Sequence, residues 1–182
     1  MTEWLDIYDS LGRATGRVQA RDGSDGGEED YYLTVRVWVR DAAGRILLTR
    51  RQRDRFWYPD CWETPGGFAR AGESAFAAAS RELAEETGLV PDEKGWRLLG
   101  RHIYEDCFAG HRYHAFVASY LAQLAEERPE IAPQPSEVSD YVWIPGAEYP
   151  ALQERWSVEP FTTSSFTLHG ERILAGADGR KQ

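Results

Sequence analysis

Residues 66–89 read GGFARAGESAFAAASRELAEETGL, and this stretch contains the strongest structural signal of the chain. A glycine pair comes first, and apolar residues then recur at helical spacing. This pattern predicts a helix that Gly72 and Glu73 open, with the carboxylate near the positive end of the helix dipole. Gly88 is expected to end the helix as a left-handed cap. About fourteen residues lie between these ends, so the helix should be about 21 Å long.

The buried face of this helix is predicted from Phe76, Ala79 and Leu83, which recur three and four residues apart. At about 100° per residue, Glu82 and Glu86 are neighbours on one flank of that face. The other residues on the flank are alanines, which are expected to leave room for something to approach.

Three glutamates within one and a half turns of helix need a partner. Like charges four residues apart on a helix repel by about 0.2–0.5 kcal/mol, and Glu82, Glu85 and Glu86 lie close together. Arg81 lies four residues before Glu85 and can hold that carboxylate. Mg²⁺ takes oxygen ligands and binds substrate phosphates at the same time. We therefore interpret the glutamates as a metal platform; for three glutamates alone, a solvated acidic face is the alternative.

The full spacing is far more specific than the glutamates alone. Gly67 is followed by five residues, Glu73, seven residues, Arg-Glu-Leu, one residue, Glu-Glu, one residue and Gly-Leu. This string, residues 67–89, matches every position of the Nudix box, so the chain resembles the Nudix hydrolases. These enzymes act on nucleoside diphosphates linked to another moiety. The resemblance implies an α/β/α sandwich with a mixed central sheet, in which the box forms a loop, a helix and a second loop.

The resemblance also implies roles for residues of the box. Glu82, Glu85 and Glu86 correspond to metal ligands, and the Gly66 carbonyl to a backbone ligand. Arg81 corresponds to the residue that orients the catalytic carboxylates. The cofactor expected is Mg²⁺, with Mn²⁺ as the other candidate, because both accept carboxylate oxygens.

Many relatives supply a further glutamate from a late loop, and Glu137 is the candidate here, with Asp140 as its competitor. The metals would neutralise the diphosphate and activate a water molecule, and a carboxylate would remove the proton of that water. Glu82, Glu85 and Glu137 all remain candidates for this base. Glu73 corresponds to a structural or outer-shell acid.

The remaining chain indicates one domain preceded by an extension. We expect an N-terminal hairpin extension and acidic loop in residues 1–30, a single Nudix domain in residues 31–175 and a frayed tail in residues 176–182. Strand patterns are predicted at 32–40, 45–51, 96–107, 113–124 and 141–144. The first two are expected to form a hairpin, and residues 146–156 have weak helical spacing interrupted by a proline.

Composition limits the partners. The net charge of −9 argues against a nucleic acid polymer or an anionic membrane as the partner. No apolar run approaches the roughly 18 residues of a membrane helix, and the N-terminus has no signal-peptide pattern. Cys61 and Cys107 form no CxxC motif, so a reducing cytoplasm is expected. The expected partner is a small diphosphate-containing substrate, and the resemblance also admits a homodimer.

Residues before the box resemble the Nudix branch that includes isopentenyl diphosphate isomerase, which moves a double bond with a cysteine and a glutamate. That branch carries its cysteine after a Trp-Thr-Asn segment, whereas Cys61 here precedes Trp62. The complete hydrolase box therefore favours a pyrophosphohydrolase. The isomerase and a non-catalytic nucleotide-binding module are the alternatives.

Substrate contacts are expected from the segment that precedes the box. Arg51, at the end of a predicted strand, is a candidate for binding phosphate. Trp57, Tyr58 and Trp62 are candidates for stacking on a base, although such aromatics also serve as core or loop anchors.

Overall fold

The computed structural model describes residues 2–21 and 27–176. Within these residues it contains nine strands: β1 (Trp4–Tyr8), β2 (Ala14–Ala20), β3 (Tyr31–Arg40), β4 (Arg45–Arg51), β5 (Trp62–Glu63), β6 (Gly66–Phe68), β7 (Trp96–Phe108), β8 (His111–Gln123) and β9 (Val138–Pro145). The helices of the same residues are α1 (Ala75–Thr87), α2 (Tyr149–Gln153) and α3 (Pro160–Ala175), with short 3₁₀ turns at Glu93–Gly95 and Gly146–Glu148.

Strand β3 is the centre of the sheet. It pairs in parallel with β8 from Tyr32–Ala115 to Arg40–Gln123 and antiparallel with β1 and β6. Strand β7 extends the sheet beyond β8, while β5 and β9 both pair with β4. Parallel and antiparallel pairs therefore coexist, as the predicted mixed sheet requires.

The predicted hairpin of β3 and β4 is correct only at its turn. The two strands pair at Arg40–Ile46 alone and then diverge. Strand β6 occupies the opened space: it pairs with β3 at Arg36–Gly66, and the Val37 N–H donates to the Pro65 carbonyl at 2.8 Å. The divergence therefore brings the glycine pair of residues 66 and 67 into the sheet.

Both faces of β3 are buried because helices cover the sheet on both sides. On one face, Val35 and Val37 pack with Leu83 of α1. On the other, Trp38 packs with residues of α2 and α3, including Tyr149 and Ile173. The structure confirms the predicted α/β/α sandwich.

Helix α1 begins later than predicted. Ser74 caps its N-terminus, with the Oγ accepting from the Ala77 N–H at 3.2 Å, so Gly72 and Glu73 precede the helix. The prediction that Glu73 belongs to the first turn is therefore wrong. The predicted end is correct: Gly88 has φ 73°, and its N–H donates to the Ala84 carbonyl at 2.9 Å.

The predicted buried face of α1 needs one correction. Phe76 is 43% exposed, and its ring contacts the rings of Trp96 and Tyr120 from the helix edge. Ala75 and Ala78 are buried in the core instead. These alanines allow the helix to lie close to the sheet, so they do not leave open space.

Helix α3 was not predicted from the sequence. Its buried face carries Thr162 and Ser165, and these polar residues hide the helical period. The usual start signals are present: Glu159 accepts from the Thr162 N–H at 2.9 Å, and Pro160 occupies the first turn.

The N-terminal segment forms an antiparallel pair of β1 and β2, from Trp4–Ala20 to Tyr8–Ala14, with a shift of register between Asp6 and Tyr8. The middle of the predicted acidic loop, residues 22–26, and most of the predicted frayed tail, residues 177–182, lie outside the described residues. No helix of the described residues combines the length and the apolar character that a membrane crossing requires.

Candidate metal and substrate site

The glycine pair of β6 allows a very close approach of backbone and side chain. A Cβ atom at Gly66 would lie 2.2 Å from the Val35 carbonyl oxygen, so no larger residue fits there. A Cβ atom at Gly67 would lie 2.6 Å from Oε1 of Glu82. Gly67 therefore creates the space in which the Glu82 carboxylate lies.

Arg81 holds three carboxylates together. Its Nη1 donates to Glu82 Oε1 at 2.8 Å and to Glu85 Oε2 at 3.0 Å. Its Nε and Nη2 donate to the two oxygens of Glu73 at 2.9 and 2.8 Å. Burial raises the pKa of Glu73, but the hydrogen bonds from Arg81 and from the Arg70 N–H outweigh it and lower that pKa. Glu73 is therefore a stable anion that fixes the Arg81 guanidinium.

Glu86 is buried among other carboxylates. It is 4% exposed, and the Gly66 N–H donates to its Oε2 at 3.3 Å. Burial raises its pKa well above the usual value, and the charges of Glu63, Glu82 and Glu137 raise it further. Arg36 opposes this shift without reversing it. An excess of negative charge is therefore concentrated around Glu86.

The other two glutamates of the box differ in exposure. Glu82 is 8% exposed, and burial raises its pKa despite the opposing charge of Arg81. The Glu85 side chain is 42% exposed and also contacts Arg70 at 3.3 Å. Glu82 and Glu86 thus form the buried part of the predicted platform, and Glu85 forms its outer edge.

Glu137 lies in the loop before β9, close enough to Glu86 to raise its pKa. It lines the same cavity as Glu82 and contacts Arg55 at 3.6 Å. Asp140 is exposed on β9 and does not line this cavity. The structure therefore favours Glu137 over Asp140 as the additional carboxylate.

This cavity, which we call the main cavity because aromatic and charged side chains meet in it, has a volume of about 310 Å³ and lies beside these carboxylates. Six aromatic side chains line it: Phe56, Trp57, Tyr58, Phe68, Tyr113 and Phe161. Four arginines also line it: Arg21, Arg36, Arg51 and Arg55. The cavity thus combines ring surfaces with positive charge, directly beside Glu82 and Glu137.

A buried charge network that the sequence did not predict forms one wall. Arg36 of β3 is 8% exposed and contacts Glu159 at 3.4 Å and Glu63 at 3.9 Å. Its guanidinium lies 5.0 Å from the ring centre of Phe161, and its Nε has no hydrogen-bond partner among the described residues. An arginine in the middle of a mostly apolar strand was the signal available for Arg36.

Arg51 lies at the cavity but is already paired. Its Nη1 donates to both oxygens of Glu63, at 2.7 and 2.9 Å, and its Nε donates to the Trp57 carbonyl at 2.8 Å. These contacts connect the segment before the box to β5. Arg51 therefore supports the cavity wall, and its binding of phosphate stays a prediction.

The aromatic candidates divide between two places. Trp57 and Tyr58 line the main cavity, whereas Trp62 lies against Trp156 at a centroid distance of 4.9 Å in a separate cleft. Cys61 lines that separate cleft as well, and no cysteine lines the main cavity. Both cysteines of the chain are free thiols.

The residues present fit a hard divalent cation. In the described part of the chain, no three His, Cys, Asp or Glu side chains already converge as a ligand set. Arg81 binds one oxygen each of Glu82 and Glu85. The donors at hand are all oxygens, which suit Mg²⁺ or Mn²⁺. The uncompensated charge around Glu86 is what such a cation would neutralise.

Comparison with known proteins gives a consistent result. A family model described as the NUDIX domain matches residues 30–163. An uncharacterized Nudix hydrolase of Streptomyces coelicolor is 32% identical over 97% of this chain and 92% of its own length. An isopentenyl-diphosphate Delta-isomerase of Streptomyces griseus is 32% identical over 90% of this chain and 80% of its own length. The m7GpppN-mRNA hydrolase NUDT17 of Xenopus laevis is 34% identical over 60% of this chain, but the match spans only 40% of the frog protein.

Solved structures share the fold at lower identity. The crystal structure of DR0079 from Deinococcus radiodurans has a TM-score of 0.71 at 17% identity and covers 92% of this chain and 99% of that one. A bifunctional NMN adenylyltransferase/ADP ribose pyrophosphatase from Francisella tularensis, complexed with AMP and a Mn ion, has a TM-score of 0.61 at 22% identity. It covers 79% of this chain and 42% of that one.

Proposed function

Because the chain belongs to the Nudix hydrolase family, we propose that it cleaves a diphosphate bond in a nucleoside-diphosphate-type substrate by metal-dependent attack of water. The observation that carries this proposal is the cluster of carboxylates around Glu86, which lies beside a cavity lined by aromatic side chains. Bound Mg²⁺ or Mn²⁺ would neutralise the diphosphate and activate the attacking water. Glu82, Glu85, Glu86 and the Gly66 carbonyl are the proposed ligands.

The shape of the site supports a division of the substrate between two regions. Glu82 and Glu137 line both the aromatic cavity and an open cleft that Arg81 and Glu85 border. A substrate with its ring in the cavity would therefore place its diphosphate beside the carboxylates. Stacking on aromatic side chains is worth about 1–3 kcal/mol per base, and Trp57 and Tyr58 are the proposed stacking residues.

The polar residues of the chain supply orientation and proton transfer. Arg81 holds Glu82 and Glu85 in place through its bond to Glu73. The proposed base is Glu82 or Glu137, because both line the cavity as well as the cleft, whereas Glu85 lines the cleft alone. Arg51 would contact the substrate phosphates from the opposite wall.

The similarity to an isomerase makes isomerisation of an isoprenoid diphosphate the second candidate function. The isomerase reaction uses a cysteine, yet Cys61 lines a different cleft from the carboxylates. Hydrolysis is therefore the better supported chemistry. The two free cysteines also fit a reducing compartment, for which we propose the cytoplasm.

A substrate panel tests the proposal. The protein would be incubated with a nucleoside triphosphate, a nucleotide sugar, ADP-ribose, a dinucleotide and isopentenyl diphosphate, each with and without Mg²⁺ or Mn²⁺. We expect metal-dependent release of a monophosphate or phosphate from at least one nucleotide. Turnover should fall by about 10²-fold or more in Glu86→Gln, because a catalytic metal ion supplies several kcal/mol of transition-state stabilisation. Glu93→Gln, at an exposed position away from the site, is the matched control and should retain activity.

Three results would contradict the hydrolase proposal. One is a shifted double bond in isopentenyl diphosphate with no hydrolysis of any nucleotide. Another is binding without turnover, which would indicate a non-catalytic module. The third is unchanged turnover in Glu86→Gln, which would exclude the carboxylate group from the reaction.

A further inference from the structure

Strand β7 leaves one long edge of the sheet without a neighbouring strand. Among the described residues it pairs with β8 alone, from Trp96–Ala122 to Phe108–His111. An open edge of this length is a template for pairing with another chain. Ile103 is 51% exposed at the middle of this edge, so the surface there is also apolar.

The charges on this edge are complementary to themselves. Arg101, Ile103 and Glu105 project from the same face of β7, because they are two residues apart. Arg101 makes no ion pair with any described residue, while Glu105 accepts a hydrogen bond from the Tyr31 hydroxyl through one of its two oxygens. In an antiparallel pair centred on Ile103, each Arg101 would lie opposite the Glu105 of the other copy. We infer that β7 is a homodimer interface at which two copies pair antiparallel and continue the sheet.

A neighbouring side chain limits the register of this pairing. Arg172 of α3 donates to the Leu98 carbonyl at 3.1 Å and to the Leu99 carbonyl. The Arg172 side chain thereby occupies the start of the edge. The strand is therefore available from Gly100 onward, and a pair centred on Ile103 uses residues 100–106. Opposite charges directly across an antiparallel pair stabilise it, and like charges destabilise it.

An exposed apolar residue of α3 lies near the opposite face of the edge. Leu168 is 54% exposed on α3 and lies one turn before Arg172, on the side of the helix that reaches β7. In the proposed dimer, a two-fold axis at Ile103 relates the two copies, and it would bring Leu168 of each copy toward α3 of the other copy. This interface does not depend on the proposed chemistry, since none of its residues lines the main cavity.

Sedimentation equilibrium with charge variants tests the interface. We expect the wild type to have about twice the 20.7 kDa mass of one chain at micromolar concentration. Arg101→Glu and Glu105→Arg place like charges opposite each other, so each variant alone should sediment as a monomer. Mixing the two variants should restore the dimer, because every pair across the interface then joins opposite charges.

Control variants separate the interface from effects on folding. Arg155→Glu changes an exposed charge elsewhere and should leave the dimer intact. Tyr31→Phe removes the hydrogen bond to Glu105 without changing the edge, so it should also remain dimeric. A monomeric wild type, dimeric single variants, or a mixture that stays monomeric while both variants melt like the wild type would each overturn the inference.

Discussion

Substitution of Gly67 by Ala isolates the position of one carboxylate. The new Cβ would lie 2.6 Å from Glu82 Oε1 and 3.0 Å from Glu82 Oε2. Ordinary contact begins at 3.4 Å, so the nearer oxygen has to retreat by about 0.8 Å. Gly67 is not among the glycines with positive φ, so alanine suits its backbone. A misplacement of about 1 Å in a catalytic site costs about 10²-fold in rate, or about 2.7 kcal/mol.

The assay is kcat/KM for the nucleotide that the substrate panel selects, measured at saturating Mg²⁺. We expect a loss of about 10²-fold in Gly67→Ala with a melting curve close to that of the wild type. In a Glu82→Ala background the same substitution should cost nothing further, because no carboxylate remains to be displaced. Wild-type activity in Gly67→Ala, or an equal loss in both backgrounds, would refute the reasoning.

Three further predictions concern the helix and the cavity. In Glu73→Gln, the free energy of unfolding should be lower than that of the wild type at pH 7, and the two should converge as the pH falls below about 4.5. The reason is that the pKa of Glu73 is lower in the folded state, so its contribution to stability is lost on protonation. Urea titrations across pH measure this difference, and a difference that stays constant with pH would contradict the prediction. Ser74→Ala should destabilise the fold by about 1 kcal/mol through loss of the N-cap, whereas Ser80→Ala within the helix should not, and equal urea midpoints for both variants would argue against the cap. Trp57→Ala should raise KM by about 5–150-fold through loss of stacking, while Trp62→Ala should leave KM unchanged. Steady-state kinetics in which Trp62→Ala has the larger effect would show that the nucleobase of the substrate does not stack on Trp57.

The features predicted correctly are those encoded within short segments. Residues 67–89 specify the loop and helix because cap, period and charge lie within a few turns, and Gly88 adopts the expected left-handed conformation. The alternation of 32–40 likewise predicted β3, which extends from Tyr31 to Arg40. Local spacing carries this information because each of these interactions joins residues close in sequence.

The features that were missed depend on contacts between distant segments. The divergence of β3 and β4 requires β6 to insert beside β3. The turn sequence between β3 and β4 does not predict this insertion. The network of Arg36, Glu63 and Glu159 joins three separate elements, so its members look like unrelated charged residues in the sequence. Phe76 follows the helical period yet stays 43% exposed, because the period does not determine how far the sheet extends beneath the helix.

Titration of the wild type and Glu86→Gln with Mn²⁺, followed by the electron paramagnetic resonance signal of the free ion, tests the metal platform most directly. Glu93→Gln serves as the control, and no substrate is needed. The wild type and the control should bind Mn²⁺, with Mg²⁺ competing, and Glu86→Gln should bind it at least about tenfold more weakly. Equal Mn²⁺ affinity in all three proteins would contradict the assignment of the buried carboxylates as the metal site.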